Sequence, residues 1–403
     1  MRFGGVISAF SILALLSGCA VNPVTGEREL GLVSEAQERQ LGAQNYSSMR
    51  QMEGGEYDLA KGLNEYVSGV TARLAQQASR PLDYEIVVLN NSVPNAWALP
   101  GGKMAINRGL LVEMGSEAEL AAVLGHEIVH ADARHGAQNM ERGLLLQGAA
   151  AAIGMAASDS EYAPYVVGGA NLGAQLISQR YSRGAELEAD AYGIRYMQAV
   201  GYNPQAAVEL QQTFVRLSEG RQQDWLSGLF ASHPPSQARV EANQALVNEL
   251  GAGGEWGRER YQRETAFLRQ HQPAYEAYEA GRKALTEGKF RQALEKAEQA
   301  IAALSQEALF HGLRGDALSA QERPKEALRA YNRAIALNGD YFYFPLRRGL
   351  LYRQQGSLAA AETDLQASIK MLPTKAAYQA LGAIEETRGN QQQAQRYYQM
   401  AGG

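Results

Sequence analysis

Beyond residue 270 the chain repeats itself. Ala293, Ala327, Ala361 and Ala394 stand 34, 34 and 33 residues apart, and Gly315, Gly349 and Gly382 keep the same interval. A second marker follows in register at Ala300-Ile301, Ala334-Ile335, Ser368-Ile369 and Ala401. A period of this length holds one pair of helices, and small residues recur where the two helices must cross closely. One pair cannot bury its own apolar face, so the pairs must stack on each other. A four-helix bundle can imitate one such interval but not three in register. The sequence therefore predicts an α-solenoid over 273–403.

With 403 residues the chain has room for two or three domains. Its 38 basic and 43 acidic residues give a net charge of -5, without the excess of positive charge that nucleic-acid binding needs, so no nucleic-acid partner is expected. At the N-terminus Arg2 precedes an apolar run from Val6 to Leu16, too short to span a bilayer core of ~30 Å. It reads as a signal peptide over 1–18. The following Leu16-Ser17-Gly18-Cys19 resembles the bacterial lipobox. That resemblance implies lipidation of Cys19 and, with Ala20 next, attachment at the periplasmic face of the outer membrane. Cys19 is the only cysteine, so it has no partner for an internal disulfide.

The stretch 19–250 is expected to form one domain, mainly α with a small β-sheet. Ser34 and Gln37 fit a capping box that opens a helix to Met49. The run Tyr84 to Leu89 reads as a strand, and Ala96 to Ile106, with Pro100-Gly101-Gly102 at its turn, reads as a hairpin. Ser116 and Glu119 make a second capping box, after which Leu120, Leu124, Ile128 and Ala131 recur at helical spacing, predicting one helix from about 117 to 138. Residues 143–158 are apolar but rich in Ala and Gly, and are read as a buried or cleft-covering helix. Gly251-Ala252-Gly253-Gly254 marks a linker, so 251–272 is assigned as linker and helix between the two domains.

Chemistry concentrates in His126-Glu127-Ile128-Val129-His130. Histidines four apart share one helix face, so two imidazoles can reach one ion, while Glu127 lies close enough to take a proton from water. A catalytic site needs a third protein ligand. Gly136 stands where a metzincin would carry its third histidine, and no carboxylate occurs between Glu141 and Asp159, where a thermolysin-like site would place one. The next candidates are Glu186, Glu188 and Asp190 in Arg183-Gly184-Ala185-Glu186-Leu187-Glu188-Ala189-Asp190. Glu186 is taken as the third ligand and Asp190, one turn on, as the acceptor that fixes a ligand histidine. Spacing alone does not separate Glu186 from Glu188, nor either from an acidic solvated face.

These motifs together resemble the gluzincin peptidase family of the CAAX prenyl protease and the heat-shock protease HtpX. Asn22-Pro23-Val24-Thr25-Gly26, Asn95 to Gly102, and Ser232-His233-Pro234-Pro235 with Arg239 are similar to its periplasmic branch, and the C-terminal pattern resembles the tetratricopeptide repeat. The resemblance implies a zincin-type metalloprotease domain with one zinc per chain, held by His126, His130 and Glu186, with Glu127 as catalytic base. It also implies that His233 sits over the zinc, either as a removable fourth ligand or as a donor to the transition-state oxyanion. On its residue alone, His233 is equally a loop-packing histidine. Arg239 is a candidate for site support, His135 is expected off the metal face in a solvent or structural role, and Lys103 to Ile106 is expected to hold an extended substrate. The implied substrates are unfolded or misassembled envelope polypeptides. The repeats would engage them or the outer-membrane assembly machinery. A repeat-based chaperone or adaptor with a latent protease domain is the second reading.

Overall fold

The computed structural model describes residues 19–143, 180–220, 232–251 and 253–402. The expected signal peptide and nearly all of the apolar stretch 143–158 lie outside them.

A short antiparallel ribbon, β1 (Cys19–Val21) with β2 (Arg28–Leu30), precedes helix α1 (Glu35–Met52). Ser34 caps α1 in a full capping box with Gln37. After α2 (Leu63–Ala75) comes a three-stranded sheet of β3 (Glu85–Leu89), β4 (Ala96–Ala98) and β5 (Lys103–Asn107), in the order β3-β5-β4. The hairpin β4–β5 is antiparallel, while β3 runs parallel to β5 with Glu85 opposite Lys103 and Leu89 opposite Asn107. This order corrects one expectation: Lys103–Asn107 is the central strand, paired on both edges, and has no backbone groups left for a substrate. Among the described residues β3 and β4 are the sheet's outer strands. The outer side of β3 is already taken by 55–57, where Tyr57 N–H donates to the Val88 carbonyl and Asn90 N–H to the Gly55 carbonyl, so the free edge is that of β4.

Alternation along the strands splits the core in two. Ile86, Val88, Met104 and Ile106 pack with Val67, Val70 and Leu74 of α2 and with Leu120, Leu124 and Ile128. Val87, Leu89, Ala105 and Trp97 point the other way, onto Tyr46 and Met49 of α1.

Helix α3 (Arg108–Glu113) leads to α4 (Glu117–Asp132), which carries the paired histidines and is buried on nearly every side. Its N-cap is Ser116, whose hydroxyl accepts from the Glu119 N–H, but the Glu119 carboxylate accepts from Gly115 N–H and the Ser116 hydroxyl rather than from the Ser116 N–H that would close the box. In its first turn Glu117 is buried and accepts from Tyr66 (2.9 Å), Tyr202 (2.6 Å) and Arg260 (2.7 Å). Contrary to the expected single helix to about 138, α4 ends at Asp132. Arg134 adopts φ 62°, a left-handed conformation uncommon for a side chain. Its guanidinium is held by Glu38 and by the Val33 carbonyl, and helical backbone resumes over 135–143 in a new direction.

Helices α5 (Arg183–Ala199) and α6 (Gln205–Gly220) pack on α4, and α7 (Gln237–Leu250) packs on α5 and α6. Where α4 crosses α5, Gly125 meets Gly193 backbone to backbone: a Cβ on Gly125 would lie 3.0 Å from the Gly193 oxygen, and one on Gly193 would lie 2.9 Å from the His126 nitrogen. Only glycines permit that approach. The segment after Gly251 is not a free tether. Glu255 exchanges backbone bonds with Gly201 and Asn203, and the Trp256 carbonyl accepts from Ala118 N–H.

After α8 (Arg258–Glu264) the chain continues as α9 (Ala266–Thr286), α10 (Phe290–Ala303), α11 (Ala308–Ala320), α12 (Pro324–Leu337), α13 (Tyr343–Gln354), α14 (Leu358–Met371), α15 (Lys375–Thr387) and α16 (Gln391–Met400). Each successive pair packs most closely within itself and next with its neighbour, the stacking expected of a repeat array. The periodic glycines sit on the first helix of a pair and receive a side chain of the second: Tyr331 over Gly315, Leu365 against Gly349, Tyr398 over Gly382. The periodic alanines are fully buried on the second helix.

The array is seated on the sheet by a buried polar network. Glu307 accepts from Tyr275 OH (2.7 Å) and Asn90 Nδ2 (3.0 Å), Arg108 Nε donates to Asn90 Oδ1 (2.8 Å), and the Arg108 guanidinium lies 3.4 Å from the Tyr275 ring centroid. At a second point, Gln51 of α1 bonds the Asp340 carbonyl and the Phe342 N–H.

Candidate metal centre

Helices α4 and α5 and the loop before α7 bring four side chains to one point. His126, His130, Glu186 and His233 are all buried, and each offers a ligand atom within 4.8 Å of the others. His126 Nε2 lies 3.0 Å from His130 Nε2 and 3.2 Å from His233 Nδ1. Glu186 Oε1 is 2.9 Å from His233 Nδ1 and 3.5 Å from His130 Nε2. A tetrahedron with its centre ~2.0–2.1 Å from each ligand has edges of about 3.3 Å, so these separations fit a single divalent ion. The donor set supports the fit. Burial pushes the His130 imidazole well below its ordinary value, which leaves it neutral with a lone pair to give. Burial alone would raise Glu186, but His233, His130 and His126 outweigh it and hold the carboxyl well below the usual range. Glu186 Oε2 makes an ion pair with Arg239 Nη1 at 2.7 Å yet accepts no hydrogen bond.

The surrounding side chains orient these donors. His126 Nδ1 lies 2.9 Å from Asp190 Oδ1, and Arg239 bonds both Asp190 oxygens at 2.7 Å. With its Nδ1 hydrogen committed to Asp190, His126 turns the lone pair of Nε2 to the centre. Burial opposes ionisation of Asp190, but Arg239 more than compensates and holds it below its ordinary value. Glu127 stands beside the cluster, its Oε1 3.6 Å from His233 Nε2.

The structure thus brings Glu127, His126, His130, Glu186, Asp190, His233 and Arg239 together, and it separates the two glutamates that spacing could not. Glu188 points away, pairing with Asn22 Nδ2 (2.8 Å) and facing His135 Nε2 (3.5 Å). Of the two roles expected for His135, solvent-facing or structural, it takes the structural one. The break at Arg134 turns it back, so it is buried with Nδ1 2.9 Å from His130 Nδ1, and it braces a ligand rather than meeting solvent. Tyr181, which sequence reasoning missed, stacks on His130 with ring centroids 3.9 Å apart. Its only signal was adjacency to Ser182-Arg183. His271 and His311 bond the carbonyls of Phe267 and Ser305, on elements that contribute nothing to the cluster.

Residues 62–247 match the model for Peptidase family M48. The chain is 32% identical over 158 residues to the mitochondrial metalloendopeptidase OMA1 of Arabidopsis thaliana, covering 39% of this chain and 30% of that protein. It is 31% identical over 188 residues to a putative beta-barrel assembly-enhancing protease of Vibrio cholerae, covering 43% and 35%. Against the metalloprotease LoiP of Escherichia coli the identity is 26% over 269 residues, covering 63% of this chain and 99% of LoiP. The match therefore spans about a third of the first two relatives and nearly all of the third.

Proposed function

We propose, from the match of residues 62–247 to the model for Peptidase family M48, that the chain is a zinc-dependent endopeptidase of the bacterial envelope that degrades misfolded or misassembled outer-membrane or periplasmic proteins and assists their assembly. The observation that carries this reading is the buried cluster of three imidazoles and one carboxylate with Glu127 at its side, facing His233. Histidine and carboxylate donors in that geometry favour zinc.

A zinc ion bound there supplies Lewis acidity to a water and to the peptide carbonyl under attack. The chain's own residues do the rest. Asp190 and Arg239 fix the tautomer of His126 from one side, and His135 accepts from the Nδ1–H of His130 on the other. With Nδ1 of His233 turned to the centre and Nε2 facing Glu127, the imidazole fills the place a reacting water needs. Its withdrawal opens that place, and Glu127 then receives the proton of the attacking water at a carboxylate oxygen and returns it to the leaving amine. An extended substrate pairs with the free edge of β4. His233→Ala is expected to raise basal proteolysis in a timed digestion; equal or lower activity would remove the latching role.

Leu16-Ser17-Gly18-Cys19 supports a lipid anchor at Cys19 and a station on the periplasmic face of the outer membrane. Among the described residues no helix is long and apolar enough to cross a membrane. We take 19–250 as the protease domain, 251–272 as its connection and 273–403 as the repeat domain that engages substrate or assembly partners.

The test is degradation of unfolded casein by the purified mature chain beside Glu127→Gln, with zinc measured on both. Cleavage should fall by roughly 10²–10⁴-fold in the variant while zinc content is unchanged; equal turnover would reject Glu127 as base. The seat of His233 in the fourth position favours one further reading, a repeat-based chaperone or adaptor with a latent protease domain. An adaptor would still complement a deletion strain as Glu127→Gln.

A further inference from the structure

A small cavity of about 40 Å³ opens beside His126, Glu127 and His233, between α4, α5, α6 and α7. Its walls are apolar, from Val123, Ile194, Leu210 and Phe214. Its other polar lining is already engaged: Arg239 binds Asp190 and Glu186, and Asp190 binds His126. Two further lining groups, Gln211 on α6 and Asn243 on α7, are 7% and 3% exposed. Gln211 Oε1 and Asn243 Nδ2 are buried without any hydrogen-bond partner. Buried polar atoms are nearly always paired, and one that is not calls for a reason. Here an acceptor and a donor stand unpaired in the same pocket, next to the reacting centre.

We propose that this pocket selects the substrate residue flanking the scissile bond, and that it takes a small neutral polar side chain, a hydroxyl or a primary amide. The inference rests on the peptidase reading and adds to it the chemistry of the residue recognised. Gln211 Oε1 accepts a hydrogen bond from that side chain, and Asn243 Nδ2 donates one to it. Serine, threonine and asparagine each carry both functions. An isosteric apolar side chain would fit the walls but seal both amide atoms away unpaired, the penalty by which such sites reject analogues. A carboxylate would confront Glu127 and find only one donor, and a cation would lie beside Arg239. The volume sets the size limit, since a cavity needs roughly 10–15 Å³ on this measure to admit one water and this one admits only a few such positions.

The experiment uses the full mature chain as His233→Ala, so that the pocket is reachable, with and without Gln211→Leu and Asn243→Leu. Peptides differing at one residue are compared in isosteric pairs, threonine with valine and asparagine with leucine. Cleavage sites are read by mass spectrometry, and binding of the same peptides by fluorescence anisotropy in a further Glu127→Gln background. Threonine and asparagine should be preferred over their apolar partners by about tenfold or more in both readouts, and the double leucine variant should bring the ratio to about one or invert it. Its melting temperature should not fall, because two unpaired polar groups have been replaced by apolar ones of similar size; a sharp fall would assign the amides a structural role and overturn the proposal. Equal treatment of the isosteric pairs by the parent, or no binding of any peptide, would overturn it as well. Discrimination in binding with no cleavage anywhere would leave the pocket assigned and remove the peptidase reading instead.

Discussion

Two regions of this molecule cross helices at glycines, and they do so for opposite ends. In the repeat array each glycine is a socket for a side chain: Tyr331 sits over Gly315 and Tyr398 over Gly382, so the crossing is a matter of shape and is made again in each pair. At the metal centre Gly125 and Gly193 meet with no side chain between them, and the neighbours of that crossing are ionisable: His126, Glu127, Asp190 and Glu186. Shape that recurs can be shared among neighbours, whereas a charge constellation made once has no spare copy. The first kind of packing tolerates a lost contact; the second depends on every partner.

Substitution at the glycines is the strongest way to break this contrast. Gly125→Val forces its Cβ against the Gly193 carbonyl, which belongs to a helix and cannot step aside, and metal binding is expected to weaken by more than a hundredfold in a chelator-competition titration. Gly315→Ala should instead cost ~1–3 kcal/mol of stability by crowding the Tyr331 ring, with metal affinity unchanged. If both variants bound metal normally, the distinction between the regions would fail.

Asp190→Asn sharpens the charged side of the comparison. It keeps the shape but removes the charge that Arg239 and His126 share, and metal affinity should drop about 10–100-fold in the same titration. Glu117, at the start of the metal-bearing helix, gives the smallest effect. Burial opposes its ionisation, but Arg260, Tyr202 and Tyr66 outweigh that and hold the carboxyl below its usual 4.5. Its contribution is therefore whole above about pH 4.5 and drains away as the pH falls through the lower folded-state value. Glu117→Gln should lose about 1–3 kcal/mol at pH 7 and show a flatter decline on the acid side, measured by denaturant titration from pH 7 to 3. An unchanged acid slope would show that the decline originates elsewhere.

The contrast also explains what the sequence could tell. Packing in the array needs a small residue at the same place in each helix pair, so the array was legible from Gly315, Gly349 and Gly382 together with Ala293, Ala327, Ala361 and Ala394. The paired histidines and the carboxylates of α5 were legible because one helix face carries them at fixed spacing. What one helix cannot encode was missed. The turn at Arg134 depends on Glu38 and Val33, about a hundred residues earlier, so nothing local announced that His135 would come back to His130. The centring of β5 depends on a parallel partner, β3, on the far side of the hairpin. Tyr181 reaches His130, and Gln211 and Asn243 reach their cavity, only through the packing of separate helices.

The seat of the array on the sheet bears on how such a chain can be inherited. Glu307 and Tyr275 belong to the array, and Asn90 and Arg108 to the body beneath, yet the four share one buried network. A repeat array borrowed from another protein would have to bring a carboxylate and a phenol to those same places, or bury Arg108 with nothing to answer its charge. The two halves therefore cannot be shuffled as interchangeable parts: a lineage that exchanged one would have to rewrite the surface of the other.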